Sequence, residues 1–138
     1  MNRRENREAL FLLVYQSLFN DDSLEEIVKS NIDEFELTAN PGELDALLAK
    51  AGAVIADSTK SHEIISKYSK TRKVERIPKV SVAIMRVALY EMEFDETVPD
   101  KVAINEAIEL CKKYAGKQDC GFVSGVLGSY YRDKNGTE

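Results

Sequence analysis

The stretch from Pro78 to Gly128, PKVSVAIMRVALYEMEFDETVPDKVAINEAIELCKKYAGKQDCGFVSGVLG, decides the fold class. It contains three apolar patterns in succession, parted by two short breaks. Ala83, Ile84, Val87 and Ala88 recur at helical spacing, with Met85, Leu89 and Met92 beside them. Ile104, Ala107, Ile108 and Cys111 form a second stripe, and Val123, Val126, Leu127 and Tyr130 a third. Spacing of i, i+3, i+4 and i+7 puts apolar groups on one side of a 3.6-residue helix. Short breaks between such helices favour antiparallel neighbours in a bundle. The spacing predicts helices over Lys79–Phe94, Lys101–Tyr114 and Asp119 to about Arg132, with 133–138 a disordered tail.

Upstream lies the connector Ser69–Lys79. It ends in Ile77-Pro78, which restricts Ile77 to extended backbone and suits the start of a helix. Before it, Leu44, Leu47, Leu48, Ala51, Ile55, Ile64, Ile65 and Tyr68 predict one long helical run from Glu43 to about Ser69. A joint is expected in the polar segment Asp57–His62. Asn40-Pro41-Gly42 is a break, with Asn40 a candidate cap and Pro41 suited to a first turn. A shorter helix follows a cap at Asp22 or Ser23 and turns Leu24, Ile27 and Val28 inward. It weakens near Asn31, and Ile32 and Phe35 extend its apolar side. The first helix runs from Arg3 to Phe19. Leu10, Phe11, Leu13, Val14, Tyr15 and Leu18 cover more than one of its faces, as suits a central helix or one shared with a partner. Nothing alternates with the period of a strand, and no repeat or low-complexity tract is present. The 138 residues are read as one all-α domain.

Composition narrows the function classes. Apolar residues make up 43% and charged residues 31%, as in a globular chain with a core. No run approaches the roughly 20 apolar residues of a membrane span. Glu5 and Glu8 interrupt the basic N-terminus and no small-residue cleavage site follows, which argues against a signal peptide. Cys111 and Cys120 read as free thiols of a reducing cytoplasm. There is no Walker-type loop, no GxGxxG and no zinc spacing. Cys111 lies on an apolar stripe, so a Cys–His nucleophile is disfavoured. His62 reads as a solvated residue. Gly116, Gly121, Gly125 and Gly128 are assigned to close helix packing. No enzyme, cofactor or metal is expected.

The net charge of −5 argues against a generic nucleic-acid binder, but the charge is unevenly placed. Asp21 to Asp45 is acidic, with Lys29 its one cation. From Lys60 to Lys79 the balance reverses, and Arg3, Arg4 and Arg7 form a second basic cluster. Localised cations on an acidic body can hold a polyanion on one face and repel it elsewhere. Arg3 and Arg7 share a helix face, although cations oppose the dipole at a helix N-terminus. Tyr68 lies among Lys67, Lys70 and Arg72, as a base-stacking residue or a core tyrosine. Lys101 and Lys117 bracket the next-to-last helix. The last helix, starting near Asp119, offers N–H groups to a phosphate. Phe122 on its first turn meets RNA or a partner, or closes the bundle.

The segments PDKVAINEAIELCKKYAG and FVSGVL resemble the C-terminal signature of the NusB family. IPKVSVAIMRVALYEM resembles the helix before that signature, and RRENREALFLLVYQ the family's arginine-bearing first helix. They lie in the family's order over nearly the whole chain. The resemblance implies two small helical bundles packed roughly perpendicular, with about six to seven helices. It also implies a cytoplasmic bacterial transcription antitermination factor. Such a factor binds the boxA element of nascent ribosomal RNA transcripts together with NusE, a protein shared with the small ribosomal subunit. It then joins elongating RNA polymerase and other Nus factors. The same domain occurs fused to RNA cytosine methyltransferases, and the length of this chain favours the free-standing factor. Two departures stand out: Ser81-Val82 replaces an acid–base pair of the family, which weakens the expectation of a partner salt bridge. Arg72 stands where a Trp is common. The competing class is a helical protein–protein adaptor without RNA. The broad apolar surface of the first helix would also suit a homodimer.

Overall fold

In a computed structural model that describes residues 2–19, 23–30 and 40–136, the side chains of 25, 29 and 30 excepted, the chain is all-α. Among the described residues there are seven α-helices, one 3-10 turn and no strand. The helices are α1 Arg3–Ser17, α2 Leu24–Ser30, α3 Pro41–Ala56, α4 Ser58–Tyr68, α5 Lys79–Phe94, α6 Asp100–Tyr114 and α7 Lys117–Lys134. The 3-10 turn is Val74–Arg76. The chain divides into two compact units, Met1–Ala56 and Asp57–Glu138.

In the first unit α1 packs on α2 and α3, and α2 on α3. The core is Leu10, Phe11, Leu13 and Val14 of α1, Ile27 and Val28 of α2, and Leu47, Ala51 and Val54 of α3. An arginine-led helix can start here because of a capping box. Asn2 Oδ1 accepts the Glu5 N–H at 2.8 Å, and the Glu5 carboxylate accepts the Asn2 N–H at 3.5 Å. Glu5 thereby places an anion in the turn that the arginines would otherwise disfavour. Ser23 caps α2 through the Glu26 N–H at 3.2 Å, and Asn40 caps α3 through the Glu43 N–H at 2.8 Å. Asp22, Asn31, Ile32 and Phe35 lie outside the described residues.

The expected long helix is two helices. Its break is at Asp57 alone, and Ser58–His62 is already helical.

In the second unit α5 is buried on almost every side by α4, α6 and α7. All seven of its expected apolar residues are buried. The third stripe is also as read, with Val123, Val126, Leu127 and Tyr130 buried. The second stripe is rotated. Ala103, Ala107, Leu110 and Cys111 are buried, whereas Ile104 and Ile108 are half-buried. Small Ala103 lets α6 approach α5, and the bulkier isoleucines flank the contact. The last helix begins at Lys117 and ends at Lys134, two residues beyond the expected limits at each end.

A polar lock closes one end of this unit. Lys60 of α4 pairs with Glu93 Oε1 of α5 at 2.5 Å, and the buried Tyr130 of α7 donates its O–H to Glu93 Oε2 at 2.5 Å. Lys134 pairs with Asp100 of α6 at 3.2 Å and donates to the Met92 carbonyl. Tyr68 donates to Asp133 Oδ2 at 2.6 Å. The Lys60 ammonium, then the Tyr130 hydroxyl, hold the Glu93 carboxyl below the usual carboxylate range. Burial, then Glu93, pushes the Tyr130 hydroxyl up.

The close-packing role assigned to the glycines does not hold. A Cβ added at Gly116, Gly121 or Gly125 would meet nothing within 4 Å, and one at Gly128 only the tip of Arg132 at 3.4 Å. Gly121 and Gly125 lie on the exposed side of α7, away from the stripe that packs.

Candidate nucleic-acid interface

Arg3, Arg4 and Arg7 belong to the first unit, at the start of α1. Arg3 and Arg4 are exposed and Arg7 is half-buried. The other candidates belong to the second unit, where α7 sorts them into two groups.

At the start of α7 the connector is drawn onto the helix. Arg72 Nη1 donates to Asp119 Oδ1 at 3.0 Å, and the Arg72 guanidinium lies over the Phe122 ring, 4.8 Å from its centroid. The Arg72 carbonyl accepts the Ser69 hydroxyl at 2.5 Å, so backbone and side chain are both held. Lys117, the first residue of α7, is exposed, as is Lys70 on the connector. Arg72, Asp119 and Phe122 therefore form one group, and Lys117 lies on the same opening turns of α7.

At the other end, Tyr68 is half-buried. It stands edge-on to Tyr130 with ring centroids 6.3 Å apart, has Lys67 Nζ at 5.3 Å, and is bonded to Asp133. Its hydroxyl is held protonated above the usual range by that bond. Tyr68 is thus neither a core residue nor an open stacking face. Lys101 is exposed beside Asp100, which pairs with Lys134 of the same end. Asp119 and Asp133 are separated along α7 by about 21 Å at 1.5 Å per residue. Lys101 and Lys117 sit at opposite ends of α6, so they cannot grip one phosphate.

The reading of Asp119 is corrected. Because α7 starts at Lys117, Asp119 is already in its first turn, and its N–H donates to the Gly116 carbonyl at 3.0 Å. Its backbone is not open to a phosphate, and its side chain instead anchors Arg72. No sequence signal links Arg72 to an acid 47 residues away. Ser81 and Val82, at the place of the family's acid–base pair, are buried, and Ser81 Oγ has no hydrogen-bond partner. Such a pair cannot be replaced in kind by two residues turned into the core.

Other chemistries find little here. Among the described residues no three His, Cys, Asp or Glu side chains are grouped as metal ligands, and no helix is long and apolar enough to cross a membrane. The two cysteines are free. Burial, with Cys120 beside it, pushes the Cys111 thiol up to about 12.

A sequence profile of the NusB family matches residues 4–132. The transcription antitermination protein NusB of Acetivibrio thermocellus is 37% identical over 134 residues, covering 97% of this chain and 91% of that protein. The protein of the same name from Clostridium botulinum is 38% identical over 129 residues, covering 92% and 96%. Among solved structures, T. maritima NusB superposes with a TM-score of 0.84 at 26% identity, over 96% of this chain and 92% of that one. A chain in the crystal structure of a plectonemic RNA supercoil shares the fold with a TM-score of 0.84 at 21% identity, over 99% and 98%. The signature in α6 and α7, the arginine-led α1 and the helical fold that carries them thus have one common account: the chain belongs to the NusB family.

Proposed function

We propose that this protein is a transcription antitermination factor. In this reading it binds boxA-type single-stranded RNA of nascent ribosomal RNA transcripts together with NusE, and joins the RNA polymerase elongation complex with other Nus factors. Family membership supports the role, and the group at the start of α7 supports the RNA contact. The observation that carries the reading is the Arg72 guanidinium over Phe122, a flat surface near the start of α7, whose first residue Lys117 is an exposed cation, on a chain of net charge −5. Unpaired bases are held by stacking and their phosphates by such cations. Arg3, Arg4 and Arg7 supply further charge, with Lys70 and Lys101 weaker candidates in the same role, and Tyr68 is a weaker candidate for stacking.

Binding by the free protein is short and weak, because the basic areas are small; NusE adds the remainder. A gel-shift with boxA-type RNA, with and without NusE, tests this. A weak shift alone and a stronger one with NusE is expected. No shift in either case leaves the protein–protein adaptor, a reading favoured by the exposure of Phe94 and Val102 on the second unit, at 52% and 40%. Light scattering on the free protein separates monomer from homodimer.

A further inference from the structure

Arg72 is a cation of the candidate interface held at both backbone and side chain, and it is little available as a charge. Its Nη1 is bonded to Asp119 at 3.0 Å, so most of its field is already met by a carboxylate. A carboxylate accepts from a guanidinium at its edge, in its plane. The two faces of the group are then left for other contacts. The Phe122 ring lies under the group, its centroid 4.8 Å from the guanidinium carbon. The Arg72 side chain nevertheless keeps 32% of its surface exposed. What remains to offer is a flat face of fixed position, backed by an aromatic ring and anchored through the bond from Ser69 to its own carbonyl. Guanidinium planes stack on unpaired bases as aromatic rings do.

We propose that Arg72, layered on Phe122 and held at its edge by Asp119, is the surface on which an unpaired base of the RNA stacks. On this account Phe122 backs the platform and does not itself face the base. Asp119 is a positioning residue, although it is an acid in a polyanion site. The inference rests on the RNA-binding reading.

The test uses the full chain with NusE, a boxA-type single-stranded RNA, and the same RNA with single abasic positions, read by gel-shift at several salt concentrations. Arg72→Lys keeps the charge and the pairing with Asp119 but loses the plane. It should bind about tenfold more weakly, a loss of the size found for base stacking. Its salt slope should be that of the wild type. The wild type should lose affinity at one abasic position, and Arg72→Lys should lose nothing further there. Arg72→Tyr combined with Asp119→Asn keeps a flat surface and removes both charges, and it should bind as the wild type does. If Arg72→Lys binds normally, if the Tyr/Asn pair binds as weakly as Arg72→Ala, or if no abasic position matters to the wild type, the platform is wrong while RNA binding stands. If the wild type shifts neither RNA, the function proposed above fails and the platform with it. Circular dichroism on each variant verifies the fold.

Discussion

Gly125→Ala should make the protein more stable, although the sequence pattern assigns this glycine to close helix packing. Gly125 is the ninth residue of the 18-residue helix α7, exposed and of ordinary helical backbone. The added Cβ meets nothing within 4 Å, so no contact is strained and no cavity is filled. What changes is the unfolded chain and the intrinsic preference for helix, where glycine lies about 0.8–1 kcal/mol below alanine. Gly121→Ala meets the same conditions, and the pair should gain up to about 2 kcal/mol, the sum of the two helix preferences. In calorimetry, 1 kcal/mol raises Tm by about 3 °C if the whole chain melts together, and by about 6 °C if residues 57–138 melt alone. Gly136→Ala is the opposing control. Its φ is +63°, where a Cβ is strained, so the gain should be absent. A Tm of Gly125→Ala below that of the wild type would refute the reasoning. It would mean that α7 is packed against something at this face.

Ser81→Ala should stabilise as well, by up to about 1 kcal/mol, because it removes a buried hydroxyl with no partner; urea unfolding with an unchanged m-value checks this. The Glu93 carboxyl titrates below its ordinary value of 4.5, so its stabilisation is complete above that value and is lost as pH falls through the folded-state one. Glu93→Gln should therefore flatten the acid limb of stability below about pH 4.5, while a limb of unchanged slope would remove Glu93 from the account. Arg3, Arg4 and Arg7 changed together to Glu should abolish RNA binding and leave the circular dichroism spectrum intact; normal binding would exclude α1 from the RNA face. With about four phosphates neutralised, affinity should fall about fifty-fold from 50 to 200 mM salt, a slope near −2.8, and a salt-insensitive affinity would contradict the electrostatic reading.

The elements of this fold are readable from the chain because they depend on local period. α5 shows this best: ten of its residues are buried, its start follows Pro78, and its ends fall where the apolar pattern stops. α6 shows the limit. Its two possible stripes, through Ile104 and Ile108 or through Ala103 and Leu110, differ by a small rotation about the axis. Hydrophobicity prefers the larger residues, whereas helix approach prefers the smaller one. The cap of α1 went unread in the sequence: Asn2 and Glu5 stand in capping-box spacing, and they explain how arginines can open a helix.

The site was legible as a list of cations and aromatics but not as an arrangement. Sequence order suggests that Tyr68 and Arg72, four residues apart, act together. The structure ties Tyr68 to Asp133 and Arg72 to Asp119, at opposite ends of α7. The reason is physical. A connector crossing a helix reaches a new neighbour with each residue, and each of these long side chains is fixed by whichever acid it meets. Those acids come from a distant part of the chain, and no period announces them. Charge counting also treats Arg72 and Lys117 as equals. Yet one has its charge met by a carboxylate at 3.0 Å, and the other stands exposed. The separation matters for function, because a neutralised guanidinium retains its plane and loses its reach, whereas an exposed ammonium has reach and no plane. The RNA contact proposed here needs both, and at the start of α7 different residues offer them.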